Sequence, residues 1–206
     1  MRSLSPEKIL DIGCGSGVIL QEFAERASLY VGLDISEEAI AHLSSKYADK
    51  RNVKLYCLEA LKLDCISEVI STEFDCVIIN SVIQYFPSIE YLNNFFQKCL
   101  SGVTTKHLIV GDVRDYRSQK SFYSSLEDDE SQMQMLMKTE GELLVSPHYF
   151  LKLQSENPCI TNTLLLGKKS SLTNEMSGFR YDVVMTTLEN NNSKIIEIDK
   201  LKTNAV

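Results

Sequence analysis

No apolar run in this 206-residue sequence approaches the roughly 18 residues that a membrane-crossing helix requires, and the polar opening MRSLSPEK is not a secretion signal. Basic residues are also scarce: 21 Lys and Arg against 28 Asp and Glu leave a formal charge of −7 and a pI near 5.1. That balance argues against nucleic acid and anionic membranes, which bind through an excess of cations. The six cysteines (Cys14, Cys57, Cys65, Cys76, Cys99 and Cys159) form no C-x-x-C pair and have no histidines at metal-ligand spacing. No metal is expected. Most of the cysteines lie in apolar segments and read as small buried hydrophobes of a reducing cytoplasm. Internal repeats and a long interdomain linker are missing too, so a 44% hydrophobic chain of this length reads as one globular domain.

The apolar pattern that is there alternates between two periods. Lys8 to Ile12 reads as a strand, Gly13 to Gly17 as a turn, and Val18 to Ala27 as a helix on the spacing of Val18, Ile19, Phe23 and Ala27. Leu29 to Leu33 is a second strand ending at Asp34. Ser36, followed by Glu37 and Glu38, caps a helix that carries His42 on its surface and runs towards Tyr47. Val53 to Leu58, Phe74 to Ile79 and His107 to Val110 supply three more strands, with a helix over Ile89 to Leu100. Continuous apolar strands alternating with amphipathic helices predict an α/β fold, a mostly parallel sheet with helices on both faces. Tyr116 to Thr139, which contains the acidic run Glu127 to Glu130 and the stretch QMQMLM, reads as helical, the acidic run being a solvated face and the methionines packing. Ile160 to Leu166 and Phe179 to Met185 are expected to close the sheet as a C-terminal antiparallel hairpin.

In such a sheet, ligands bind beyond the carboxyl ends of the strands, and the stretch ILDIGCGSGV puts Gly13, Gly15 and Gly17 at the first of those ends. Glycine there permits close approach of a ligand and the positive φ of a tight turn. The dinucleotide fingerprint G-x-G-x-x-G fails, because its third glycine would fall at Val18. Asp34 nevertheless supplies the carboxylate an adenosine ribose needs. An adenosine ligand fits, and a pyrophosphate is not required.

With LDIGCGSG, VGLDIS, CLEAL and FDCVIINSV in order over residues 8 to 110, the sequence resembles the class I methyltransferases that use S-adenosylmethionine and release S-adenosylhomocysteine. The resemblance implies a Rossmann-like methyltransferase fold. It also implies that Asp11 and the loop of Gly13, Cys14 and Gly15 hold the amino acid end of the cofactor, and that Asp34, followed by Ile35, takes the ribose. Glu59 and Ala60 would flank the adenine, and Asn80 and Ser81 would lie under the sulfonium end. NSVIQYFP, VGDVRDY, GELLVSPHYF and NEMSGFRYDVV narrow the resemblance to the methyltransferase domains embedded in nonribosomal peptide synthetases. These N-methylate an aminoacyl group on a phosphopantetheine arm, which implies a carrier-tethered or small-molecule acceptor and neighbouring synthetase domains. Most relatives have a Pro-Gly-Gly turn where this chain reads LSGVTTKHLIV, so another loop shape is expected there. Many also have cofactor-covering helices before the first strand, and the six residues present here cannot make one. Another part of the chain, a neighbouring domain, or nothing at all covers the site.

The expected layout is a methyltransferase domain over residues 1–188, with its core at 8–112, an acceptor-side or lid region at 113–158 and a closing hairpin at 159–188, followed by a tail at 189–206. Methyl transfer to nitrogen needs an aligned, neutral amine. A nearby acceptor or simple desolvation would keep it so, and the candidates at the strand ends are Asn80, Gln84, Tyr85, Asp112 and Arg114. Asp112 is a base or is salt-bridged to Arg114 or Arg180; Asn174, Glu175, Arg180, Tyr181 and Asp182 line the acceptor or pin the hairpin. His107 is expected before the fifth strand, and His148 in a loop near Tyr149. The alternative readings are a free-standing O- or N-methyltransferase for a small metabolite and a non-catalytic, cofactor-binding scaffold.

Overall fold

The computed structural model describes residues 6–118, 141–168 and 179–188. Seven strands form one sheet: β1 (Lys8–Ile12), β2 (Leu29–Asp34), β3 (Val53–Cys57), β4 (Glu73–Asn80), β5 (Thr104–Arg114), β6 (Ile160–Gly167) and β7 (Arg180–Thr187). Their order is β3-β2-β1-β4-β5-β7-β6; the first five are parallel, while β7 is antiparallel to both β5 and β6. This is the Rossmann-like fold with a closing hairpin that the sequence predicts. Among the described residues five α-helices accompany it: α1 (Val18–Phe23), α2 (Glu37–Lys46), α3 (Ser67–Ser71), α4 (Ile89–Gly102) and α5 (Pro147–Glu156), with short 3-10 turns after β3, β4 and β5.

Alternate residues of each strand feed two different cores. Leu10, Ile12, Val77, Ile79, Leu108 and Val110 pack with Phe95, Phe96 and Phe150 of α4 and α5 on one face. Ile9, Tyr30, Cys76, Ile78 and Ile109 pack with Leu20, Phe23 and Leu43 of α1 and α2 on the other. Both faces are covered, which is why these strands carry no polar alternation. Chain order reverses between β1 and β4, and that switch point opens a crevice beyond their carboxyl ends.

Several local expectations change. α1 ends at Phe23, short of Ala27; Phe23 and Ala27 are buried as predicted, but Leu20 rather than Val18, 60% exposed, completes the inner face. β5 is longer than His107 to Val110, and Val103 alone connects it to α4, replacing the turn of the resembling domains. His107 is therefore inside the strand rather than before it. It is buried, with its Nδ1 3.4 Å from the Thr186 hydroxyl, and burial pushes its pKa down. His148 lies in the first turn of α5, not in a loop, because Ser146 accepts from its N–H and Pro147 opens the helix. All six cysteines are free, but Cys57 and Cys65 are exposed; Cys14, Cys76 and Cys99 are the buried ones. The helical reading beyond residue 118, Asn174, Glu175 and the tail lie outside the described residues.

Candidate active site

The turn after β1 is built from committed backbone donors. Gly13 and Cys14 both donate to the Leu33 carbonyl, Gly17 donates to Cys14 O, and Gly15 N–H donates to Asp34 Oδ2 at 2.8 Å. All three glycines have positive φ, but for different ends. A Cβ on Gly13 would sit 2.3 Å from Val82 Cγ2, and one on Gly17 would sit 2.6 Å from Leu43 Cδ2, so both are needed for packing. A Cβ on Gly15 would meet nothing within 4 Å. Gly15 is the glycine that borders open space. Cys14 turns its side chain into the core, so it faces the crevice through its main chain.

Asp34, at the carboxyl end of β2, is half-buried. Its Oδ1 accepts from Ser36 N–H and its Oδ2 from Gly15 N–H, which fixes the carboxylate and leaves a lone pair on each oxygen. Several large apolar side chains are exposed at this end of the sheet. Ile35 is 74% exposed, Tyr85 70% and Tyr116 61%, each just past a strand's carboxyl end, as is Val18 after the glycine turn. Ala60, in the 3-10 turn after β3, is buried in the core, and Glu59, just before it, accepts from the Tyr91 hydroxyl at 2.9 Å.

Asp11 lies on the opposite side of β1 from Leu10 and is 1% exposed. Its carboxylate accepts from the Tyr30 hydroxyl. Burial raises its pKa to about 7 against the lowering effect of that hydrogen bond, and the Asp34 charge adds to the rise. Tyr30 is a residue the pattern did not single out, although a tyrosine inside an apolar strand needs a partner for its hydroxyl.

The acceptor side is an ionic cluster at the ends of β4, β5 and β7. β5 is irregular between Val110 and Val113, where Asp112 has φ 64°; Ser81 opposite has φ 58°. Ser81 donates to Asp112 Oδ2 at 3.0 Å, and Arg180 Nη1 donates to the same oxygen at 2.6 Å. Lys168 is hydrogen-bonded to Asp112 Oδ1 and lies 3.8 Å from Asp182, whose Oδ1 accepts from Asp112 N–H. Burial alone would raise the Asp112 carboxyl; Lys168, Arg180 and Ser81 outweigh it and hold the group below its ordinary range. Arg114 pairs instead with Glu142 at 3.0 Å. Leu143 N–H donates to Gln84 O, Val145 N–H to Arg114 O and the Tyr181 hydroxyl to Val145 O, so residues 141–145 wall this side. Lys168 is not distinguishable in sequence, where it is one charge in a polar stretch, whereas Glu142 lies in the quoted GELLVSPHYF without its partner being marked. A separate groove of about 450 Å³ between α4 and α5, lined by Asn93, Gln97, Tyr149 and Leu153, holds none of the residues predicted for the site.

Residues 10–104 match the methyltransferase-domain family. Over 91% of its length the chain is 33% identical to a segment of CymA, a probable non-canonical nonribosomal peptide synthetase of Salinispora arenicola, of which it spans 2%. It is 32% identical over 86% of its length to peramine synthetase A of Epichloe festucae, spanning 7% of that protein. The chain thus spans less than a tenth of the length of these curated relatives. The fold matches N-methyltransferase NodS of Bradyrhizobium japonicum in complex with S-adenosyl-L-homocysteine, with a TM-score of 0.60 at 13% identity, covering 90% of this chain and 80% of that one. It also matches the S-adenosylhomocysteine-bound magnesium protoporphyrin IX methyltransferase of Synechocystis, with a TM-score of 0.62 at 15% identity, covering 88% and 74%.

Fold and crevice together define a Rossmann-like methyl-transferring domain. The chain belongs to the class I S-adenosylmethionine-dependent methyltransferases. The residues present fit that cofactor: Asp34 keeps a lone pair on each oxygen for the ribose hydroxyls, Gly15 leaves space beside it, and Ile35 offers an apolar face.

Proposed function

We propose that this domain N-methylates an aminoacyl group held on a carrier, as part of a nonribosomal peptide synthetase acting in the cytoplasm beside its neighbouring synthetase domains. One observation carries the reading. The general methyltransferase family matches residues 10–104, the cofactor half, whereas the synthetase relatives match 86% to 91% of the chain and so include the acceptor-side half. Similarity that extends over that half supports a similar acceptor chemistry.

When bound, S-adenosylmethionine supplies an electrophilic methyl carbon whose leaving group is a neutral thioether. The protein's own work is alignment and exclusion of water. Asp34 takes the ribose hydroxyls, Ile35, Glu59 and Ala60 border the adenine, and the turn of Gly13, Cys14 and Gly15, with Asp11 behind it, receives the amino acid end. Asn80 and Ser81 lie on the side of the reacting centre, and the exposed ring of Tyr85 lines the acceptor. The ion pairs of Asp112 with Lys168 and Arg180, and of Arg114 with Glu142, support a structural part for both residues rather than proton abstraction. An acceptor amine then arrives neutral by shedding its proton to water as it is desolvated.

The test offers methyl-labelled cofactor with amino acids loaded as thioesters on a phosphopantetheinyl carrier, and in parallel the same amino acids free. Label on the carrier-bound amine is expected; equal labelling of the free amino acids overturns the tethered-acceptor reading.

A further inference from the structure

The hydrogen bonds at the end of β4 form a directed chain. An ionised carboxylate donates nothing, and Asp112, flanked by Lys168 and Arg180, accepts from every partner it has among the described residues. Ser81 has one hydroxyl proton and commits it to Asp112 Oδ2 at 3.0 Å. Its oxygen is left with lone pairs, so the Asn80 carboxamide, 3.3 Å away, must meet it with Nδ2–H. The reversed amide would set Oδ1 against those lone pairs. Asn80 Oδ1 therefore takes the other side, over Gly111, where a Cβ would come within 2.1 Å of it. Asn80 is exposed and no described residue donates to this oxygen.

We infer that Lys168, Asp112 and Ser81 are positioning residues that fix the Asn80 carboxamide with its oxygen turned to accept an N–H of the incoming nucleophile, so that the site takes an amine and refuses a carboxylate. The inference rests on the proposed N-methylation and names how the amine is chosen. As the N–C bond forms and the S–C pair passes to sulfur, the nitrogen gains positive charge and its N–H becomes a stronger donor; the surplus proton leaves afterwards to water. The hydrogen bond to Asn80 is thus stronger in the transition state than in the ground state, which is the condition for lowering a barrier. A carboxylate has no proton to offer and would bring its charge against the amide oxygen. Two non-glycine residues with positive φ, Ser81 and Asp112, hold the chain together, and strain of this kind collects where geometry serves chemistry.

Ser81→Gly removes the hydroxyl at a position where glycine suits the backbone, and Lys168→Met removes the cation while keeping the stem. In the full chain saturated with S-adenosylhomocysteine, the Asn80 side-chain NH2 resonances, identified by their loss in Asn80→Ala, are expected to move in both variants and to return in Lys168→Arg. Resonances unmoved by Lys168→Met overturn the chain of bonds. With an aminoacyl N-acetylcysteamine thioester as acceptor, kcat should fall at least tenfold in each variant while the Kd for S-adenosylhomocysteine stays within twofold. The double variant should be no slower than the worse single one, because links in series are lost once. Multiplying losses, or wild-type turnover in Ser81→Gly, overturn the inference. A wild-type protein that methylates no aminoacyl thioester, while the resonances respond as expected, overturns the N-methylation reading and leaves the orientation of Asn80 standing.

Discussion

Asp34 and Gly15 are bound to each other, and their substitutions separate binding from folding. Asp34→Ala should weaken cofactor binding by about 1.5–3 kcal/mol through loss of a charged acceptor, measured by calorimetry with S-adenosylhomocysteine; unchanged affinity places the ribose elsewhere. Gly15→Ala puts a methyl group into the open crevice. It should cost about 1–2 kcal/mol for the left-handed backbone and a larger share of affinity. Gly17→Ala meets Leu43 inside the core and should lower the denaturant midpoint more than Gly15→Ala does. Both positions look alike in the string GCGSG, and only the fold shows that one borders open space and the other packs against Leu43. The place of Asp34 is legible, because a carboxylate closing the second apolar strand must stand beside the turn that closes the first. That of Lys168 is not, since nothing local marks one lysine of a polar connection as the partner of a carboxylate more than fifty residues earlier.

At the scale of elements, the strands and helices of the first hundred residues follow from apolar period and caps. Ser36 and Ser88 both accept from the N–H three residues on, as N-caps of α2 and α4. Ser88→Ala should cost about 1 kcal/mol, read as a shift in urea midpoint, with cofactor affinity unchanged. β5 was harder to bound. Its ladder continues past Gly111 into Asp112 and Arg114, charges that a strand interior rejects unless partners from β7 and residues 141–145 neutralise them, and those partners are remote in sequence. Ser146 and Pro147 carried the start signal of α5 in plain view, an N-cap before a proline at N1. The link from β5 to β6 and β7 through Asp112 predicts that Asp112→Asn costs about 3–5 kcal/mol, because two largely buried cations lose the carboxylate they share. Thermal unfolding at neutral pH measures it.

For the whole molecule, Asp11 sets a pH dependence of unusual sign for a carboxylate. Its folded pKa, about 7, lies above its ordinary value of 3.8, so the native state holds a proton that the unfolded chain has released. Between about pH 4 and 7 its contribution to stability therefore falls as pH rises, and above that it is constant. Asp11→Asn should flatten this part of the urea-unfolding profile and, at pH 8, stabilise the cofactor-free protein by an amount of order a few kcal/mol. A profile that is parallel in the two proteins contradicts the buried proton. The sequence places Asp11 at the mouth of a ligand site; the sheet's alternation sends its side chain into the core beneath that mouth, to Tyr30.

The turn after β1 has a consequence for life beside other nucleotides. ATP and NADH share the adenosine that Asp34 would grip, and they are abundant wherever amino acids are activated. Their triphosphate or diphosphate would have to find backbone N–H groups here, and those of Gly13, Cys14, Gly15 and Gly17 already have protein acceptors. A pyrophosphate could take none of these four donors without breaking a bond that shapes the turn, so the loop favours an adenosine compound that carries no phosphate beside its ribose.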